Sequence, residues 1–282
     1  MTGADVVNIR RIVIGFADAA AIADDAIATA AELAHLLDAE LMGLFVEDAL
    51  LFDAGALPWL RTLEPRRLVW RSLTPAQLAE SHALAARAVE RHLLGQAAAF
   101  GVAAGFQVVR GDPATTLALR SEPSDLLVLA EPAEPFARAV HPYPSLVRAV
   151  AETASAVLYV PHGARPKTGP VVALARAPDD AALALAASVA HAFKERLVVL
   201  AVAPPEGELA IAQAARALAG RDCITLRLDE RGAGDWSEPA RHALAPFRER
   251  LLTVSRTAVG DDLAGYLRLA GERSVPLLLA PV

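Results

Sequence analysis

The chain of 282 residues consists of two halves that show the same order of apolar runs and helical patterns. Such an internal repeat constrains the fold more than any single motif. The first half opens with the apolar runs 11–16 and 40–46 on either side of a helical pattern at 24–37. The second half opens in the same way, with the apolar runs 170–175 and 196–202 on either side of a helical pattern at 179–193. Nearly continuous apolar runs that alternate with helices are typical of parallel strands covered on both faces. The repeat therefore predicts two α/β units.

The two halves also end alike, with a strand, a helix and a last strand. These segments are 124–130, 144–154 and 156–160 in the first half, and 250–254, 260–271 and 275–280 in the second. Residues 106–109 and 223–228 supply one further strand each, which makes five per half. We therefore predict two Rossmann-like domains, each a five-stranded parallel sheet with helices on both faces and right-handed crossovers.

The domain boundaries follow from composition. Residues 161–170 contain three prolines and two glycines, which neither a strand nor a helix tolerates. We therefore predict a first domain over 1–161, a linker over 162–169 and a second domain over 170–282. The first domain also carries an insert at about 48–75 that the second lacks. Its aromatic and basic residues are Trp59, Arg61, Arg66, Arg67, Trp70 and Arg71.

Charge and composition exclude several classes of protein. With 27 basic and 33 acidic residues the net charge is −6, which argues against general nucleic-acid binding. Cys223 is the only cysteine, so an intrachain disulfide and a cysteine-rich metal site are excluded. No uncharged apolar stretch reaches about 18 residues, so no membrane span is expected. No secretory signal is visible, and a cytoplasmic location is the default expectation.

The order of these elements resembles tandem universal stress proteins. The most specific match is the strand 106–109 followed by the turn Gly111-Asp112-Pro113 and a helix, because the third strand of that family ends in a similar turn. The resemblance covers residues of about 10–282. It implies two adenine nucleotide alpha hydrolase-like domains and a role in the stress response. It also implies that the halves pair as an intrachain pseudo-dimer in which the last strands, 156–160 and 275–280, meet.

The chain departs from the family pattern where nucleotide-binding members hold phosphates. In those members an Asp ends the first strand, whereas Ala17 stands there in this chain and Asp18 follows one residue later. Residues 131–144 contain four prolines and no glycine, and Glu131 and Glu134 would repel phosphates. In the second half Arg176 lies in the Asp region, and residues 254–262 contain one glycine. We therefore expect degraded nucleotide-binding loops and a non-catalytic regulatory or scaffold protein.

A small-molecule sensor that binds ATP, AMP or another ligand in the first domain is the alternative. The resemblance and the ligand-binding edge of α/β sheets give its candidate residues as Asp18, Val46, Gly111, Asp112 and Ser145. The purely structural alternative is that Asp112 caps a helix that Pro113 begins. An enzyme of the wider adenine nucleotide alpha hydrolase-like group is a third hypothesis. No catalytic constellation or metal cluster is visible in the sequence, so no catalytic or metal residue and no required cofactor are predicted.

Three further features carry weaker hypotheses. The Trp59–Arg71 insert could be an anion-binding lid or a nucleic-acid contact, but an interface with a protein partner or a second copy of the chain is favoured. His141 lies among prolines and could touch a ligand of the first domain. Cys223 opens an apolar strand, which predicts a buried and unreactive thiol.

Overall fold

The computed structural model describes residues 9–16, 24–57, 59, 61–64, 69–72, 74–140, 142–164, 168–220, 223–228, 237–259 and 262–281. The elements of the first half are β1 (Arg11–Phe16), α1 (Asp24–Leu37), β2 (Glu40–Asp48), α2 (Ala49–Gly55), β3 (Arg61–Glu64), β4 (Val69–Ser72), α3 (Pro75–Phe100), β5 (Ala104–Gly111), α4 (Pro113–Arg120), β6 (Asp125–Ala130), α5 (Pro135–Ala139), α6 (Tyr143–Glu152) and β7 (Ala156–Val160). Those of the second half are β8 (Val171–Ala175), α7 (Ala181–Phe193), β9 (Leu197–Ala201), α8 (Pro205–Ala219), β10 (Cys223–Arg227), α9 (Ser237–Leu244), β11 (Leu251–Ser255), α10 (Arg256–Val259), α11 (Leu263–Arg273) and β12 (Leu277–Ala280).

Ten of the strands form one sheet in the order β10-β9-β8-β11-β12-β7-β6-β1-β2-β5. Within each half the strands pair in parallel and follow the same spatial order, 3-2-1-4-5. The predicted five-stranded parallel α/β units are therefore confirmed. The two half-sheets are continuous with each other.

The half-sheets join through their last strands. β12 pairs with β7 in antiparallel orientation, and Leu278 lies opposite Leu158 at the centre of the pairing. The segments 156–160 and 275–280 thus meet as the resemblance implied. Every residue of β7 and β12 is buried. Each half therefore shields the backbone hydrogen bonds and the apolar side chains of the other half's last strand from water.

Helices cover both faces of the sheet. α1, α3, α7 and α8 supply buried residues to one apolar cluster, and α4, α6, α9, α10 and α11 supply them to the cluster on the opposite face. The buried face of α1 includes Ile27, Ala30, Ala31 and Ala34, which recur at helical spacing. α1 of the first half and α7 of the second lie against each other across the junction.

Parts of the insert at 48–75 form regular structure, for which the sequence carried no prediction. Asp48 caps the short helix α2 by accepting a hydrogen bond from the Leu50 N–H at 2.9 Å. β3 and β4 then form an antiparallel two-stranded sheet separate from the main one. Thr74 and Gln77 form a capping box that begins α3, with Pro75 as its first residue.

Two other expectations need correction. Cys223 opens β10, which is an edge strand and only half-buried, because the strand order leaves it with β9 as its one neighbour. Burial still raises the pKa of the Cys223 thiol above its ordinary value, so the thiol form dominates at neutral pH. The helix predicted at 260–271 begins at Leu263, and a separate short helix, α10, directly follows β11.

None of the helices in the described part of the chain combines the length and apolar character that crossing a bilayer requires.

Candidate functional site

The carboxyl ends of the first-half strands β1, β2 and β6 are where an open α/β sheet would bind a ligand. Val46 lies one residue beyond Phe45, the last β2 residue that pairs with β1. Its side chain is 2% exposed and belongs to the apolar cluster that includes Leu117 of α4. Val46 therefore belongs to the core below this edge of the sheet.

Gly111 and Asp112 link β5 to α4. A Cβ atom on Gly111 would lie 2.6 Å from the Thr116 Oγ1 atom, so the glycine permits α4 to approach the strand closely. The Asp112 carboxylate accepts hydrogen bonds from the Thr115 N–H at 2.8 Å and the Thr115 hydroxyl at 2.6 Å. Asp112 is thus the N-cap of α4, with Pro113 as the first helical residue. The structural alternative for this turn is confirmed.

Ser145 lies in the first turn of α6 and lines a groove of about 740 Å³ between α4 and α6. Thr115, Arg148 and Glu152 contribute polar groups to the same groove. The groove extends toward Ser121 and Ser155, which precede β6 and β7. The structure therefore brings Ser145 together with Arg148 and Thr115, whereas Val46 and Gly111 do not line this groove.

The loop after β6 is held closed by one arginine. Arg138 donates from Nε to the carbonyl of Pro132 at 2.8 Å and from Nη2 to that of Ala133 at 3.0 Å. Its Nη1 atom lies 2.9 Å from Glu131 Oε1, and Glu131 Oε2 accepts from the His162 N–H at 2.9 Å. The Glu131 charge is therefore compensated by Arg138, which corrects the expectation that it would simply repel phosphates.

Two tyrosines lie behind this loop. Tyr143 begins α6, and Tyr159 of β7 forms a side-chain hydrogen bond with it. Burial raises the pKa of Tyr143 to about 12 and also raises the pKa of Tyr159. Both phenols are therefore neutral at physiological pH and can act as hydrogen-bond donors.

The corresponding loop of the second half contacts the first half. β11 ends at Ser255 and continues directly into α10, whose first residue is Arg256. The Arg256 guanidinium donates from Nη1 to the Val150 carbonyl at 2.8 Å and from Nη2 to the Ser155 carbonyl at 2.7 Å. Desolvation lowers the pKa of Arg256, but a guanidinium is so basic that the side chain stays charged at neutral pH.

Arg176 directly follows β8, in the region where the family resemblance implied an Asp in nucleotide-binding members. Its backbone N–H donates to the Asp180 carboxylate at 3.1 Å, and the same carboxylate accepts from the Ala182 N–H at 3.0 Å. Asp180 therefore serves as the N-cap of α7. The local hydrogen bonds of this turn are satisfied within the protein.

The remaining candidates can be stated briefly. Asp18 and His141 lie outside the described residues. Within the ranges that the structure describes, no group of three or more His, Cys, Asp and Glu side chains could hold a metal ion. The loop-closing roles of Arg138 and Arg256 were not predicted from the sequence. Both bind backbone carbonyls, which every residue has, and only the Arg138–Glu131 ion pair joins two side chains that lie close together in the sequence.

Comparison with known proteins supports the fold and leaves the function open. No protein-family profile matches the sequence, and no curated protein sequence matches it. A universal stress protein from Archaeoglobus fulgidus DSM 4304 is similar in structure, with a TM-score of 0.66 at 12% identity, over 98% of this chain and 97% of that one. A functionally unknown protein from Pseudomonas aeruginosa PAO1 gives a TM-score of 0.57 at 15% identity, over 99% and 95%.

A further similar structure is the cytoplasmic domain of a prokaryotic cation chloride cotransporter, with a TM-score of 0.51 at 12% identity, over 96% of this chain and 95% of that one. At these identities the likeness concerns the fold alone. The chain therefore has the mostly parallel, Rossmann-type α/β fold seen in universal stress proteins.

Proposed function

We propose that the chain is a tandem universal-stress-type protein that acts as a non-catalytic regulatory or scaffold protein in the stress response. The fold likeness to a universal stress protein extends over nearly the whole length of both chains. The two halves share one strand order, and this supports a tandem pair of domains. Fold alone does not give function, so the proposal depends on the two loops described above.

The closed loop after β6 is the observation that carries the proposal. A phosphate site needs backbone N–H groups that face open space, ideally from glycines and a helix N-terminus. Here Arg138 binds the carbonyls of Pro132 and Ala133, and prolines occupy the cap and second positions of α6. In the second half, the segment after β11 corresponds to this loop, and Arg256 of that segment binds two backbone carbonyls of the first half. Both features favour loss of the phosphate-binding function.

The pairing of the halves as an intrachain pseudo-dimer is part of this proposal. The antiparallel β7–β12 pairing relates two half-sheets of the same order. Arg250 of the second half adds another contact between the halves, because it forms an ion pair with Glu32 of α1. Within its own half, the Arg250 Nη1 atom lies 3.6 Å from the Glu195 Oε1 atom. A covalently joined pair of this kind suits a scaffold that presents two fixed surfaces.

The experiment that tests the proposal is a thermal unfolding series with ATP, ADP and AMP, each with and without Mg²⁺. Mass spectrometry of the purified protein would detect any ligand that copurifies. A ligand at 100 times its dissociation constant stabilises a protein by about 2.7 kcal/mol, which a melting curve registers clearly. We expect no shift and no copurified nucleotide. A clear shift, or nucleotide turnover that follows the purified protein, would overturn the proposal.

The sensor hypothesis is the second candidate, and the groove beside Ser145 and Arg148 favours it. That groove joins a hydroxyl and a guanidinium in a space of about 740 Å³. If a nucleotide does stabilise the protein, Asp18→Ala should abolish the stabilisation, and Ser145→Ala should weaken it. Unchanged binding in both variants would remove the candidate set Asp18, Val46, Gly111, Asp112 and Ser145.

The insert is the surface that we propose for a protein partner or a second copy of the chain. Trp59 and Trp70 are 71% and 62% exposed, and Leu50 and Leu57 of the same insert are also exposed. Exposed aromatic side chains close to arginines are enriched in interfaces between proteins.

Replacing both indoles should separate association from folding. Because Trp59 and Trp70 are exposed, Trp59→Ser/Trp70→Ser should change the free energy of unfolding by no more than about 0.5 kcal/mol. Any self-association seen by analytical ultracentrifugation should be lost in this variant. Phe136→Ser, which alters a 75%-exposed ring outside the insert, is the matched control and should retain it. A strong loss of stability on replacing the tryptophans would contradict the exposed insert.

A further inference from the structure

A groove of about 800 Å³ lies at the amino ends of β8 and β9, on the edge of the second half opposite to the one that carries the candidate loops. The ends of α7 and α8 and the segments that precede β8 and β11 form its walls. Its volume lies within the range of small-molecule sites in proteins. It is separate from every residue discussed above as a nucleotide candidate.

The floor of the groove is apolar. Ala187 and Ala190 of α7 and Leu197 of β9 contribute to it, and Leu218 of α8 and Phe247 also line the groove. Small alanines on α7 leave the space that larger side chains would fill. A ligand that occupied the groove would therefore bury apolar surface, which favours binding.

Three basic side chains, His191, Lys194 and Arg196, line the same groove and are exposed. No other residue that the structure describes forms an ion pair with any of them. The one carboxylate of the groove, Glu195, is already engaged, since it accepts from the Gly169 N–H at 3.0 Å and lies 3.6 Å from Arg250. The unbalanced charge of the groove is therefore positive.

The first half provides a comparison at matching positions. In the first half, Leu41 of β2 pairs with Ile12 of β1. In the second half, Leu197 of β9 pairs with Val171 of β8 in the same way, so the turns that precede β2 and β9 correspond residue by residue. Asp38 and Lys194 end their helices with the same left-handed backbone, at φ 52° and φ 56°. Glu40 then corresponds to Arg196. The same turn is thus acidic in one half and basic in the other.

We propose that the second-half groove binds a small organic anion, that is, a carboxylate or phosphate on an apolar body. The apolar floor would hold the body, and Lys194 and Arg196 would hold the anionic group at the rim. The inverted charge of the first-half turn would exclude the same ligand there. This inference does not depend on the proposed regulatory function, because it concerns a different edge of the sheet.

The test measures binding of 8-anilinonaphthalene-1-sulfonate by its fluorescence, and its displacement by decanoate, on the full chain. The decisive variant is Lys194→Asp/Arg196→Glu, which installs the residues of the first-half turn. Asp38 itself adopts the backbone that residue 194 requires, so the variant should fold. Leu218→Asp is a second variant, since Leu218 is a 43%-exposed wall residue. Arg91→Glu on the exposed surface of α3 is the control for a reversal of charge.

We expect one displaceable probe per chain, an affinity at least tenfold lower in both groove variants, and no change in Arg91→Glu. Decyltrimethylammonium, which carries the opposite charge on the same chain, should not displace the probe. Equal displacement by the two amphiphiles, or equal affinity in the swapped variant, would overturn the proposal. Displacement of the probe by phosphatidylglycerol vesicles but not by decanoate would also overturn the proposal, because this result would indicate binding to a lipid surface instead of a small ligand in the groove.

Discussion

Arg273→Met should lower the free energy of unfolding by about 3–5 kcal/mol. Arg273 ends α11 and donates from Nε and Nη2 to the Glu249 carboxylate, and Nη2 also donates to the carbonyls of Leu244 and Phe247, each at 3.0 Å. The Glu249 side chain is 1% exposed. Methionine replaces the apolar stem but removes every donor, so a carboxylate is left buried without its cation. Urea unfolding followed by circular dichroism would measure the loss.

The double variant Arg273→Met/Glu249→Gln is the control. Because the glutamine side chain would carry no charge, much of the lost stability should return, and the coupling between the two sites would give the energy of the ion pair. Arg241→Met provides a comparison, since the Arg241–Glu272 pair is 47% and 42% exposed and should cost under about 1 kcal/mol. Equal losses for Arg273→Met and Arg241→Met would contradict a buried pair.

The strands and their grouping into halves could be predicted because each leaves a local pattern. An apolar run such as 124–130 appears as β6 (Asp125–Ala130), and the run 156–160 is β7 (Ala156–Val160). The meeting of the two last strands also followed, through the family resemblance. The prediction that the strand of Cys223 is buried was wrong, because an apolar run in the sequence does not encode the position of its strand in the sheet. Cys223 lies at an edge only because the strand order is 3-2-1-4-5.

The candidate site was less predictable than the fold. The N-cap role of Asp112 could be read from an Asp-Pro pair before a helix, and the structure confirms it. The role of Arg256 could not be read from the sequence. Arg256 donates to the carbonyls of Val150 and Ser155, which precede it in the sequence by 106 and 101 residues. These contacts exist only once the halves are joined. Side chains that bind backbone atoms at long range leave no spacing in the sequence.

Leu158→Ala should destabilise both halves together, by about 2–5 kcal/mol. Leu158 is fully buried in β7, lies opposite Leu278 of β12 and belongs to an apolar cluster that residues of both halves share. Removing its side-chain methyl groups leaves a cavity at the centre of the continuous sheet. If the halves form one cooperative unit, urea unfolding should remain a single transition with an unchanged dependence on denaturant.

Hydrogen exchange separates this expectation from independent unfolding of the halves. In Leu158→Ala the most protected amides of β1 and of β8 should lose the same amount of protection. Leu41→Ala is the matched control, because Leu41 is equally buried on the same face but lies in β2, away from the junction. In one cooperative unit Leu41→Ala also lowers the protection of β8. If β8 kept its protection in Leu41→Ala, the halves would unfold separately, and the β7–β12 pairing would be a contact between independent domains.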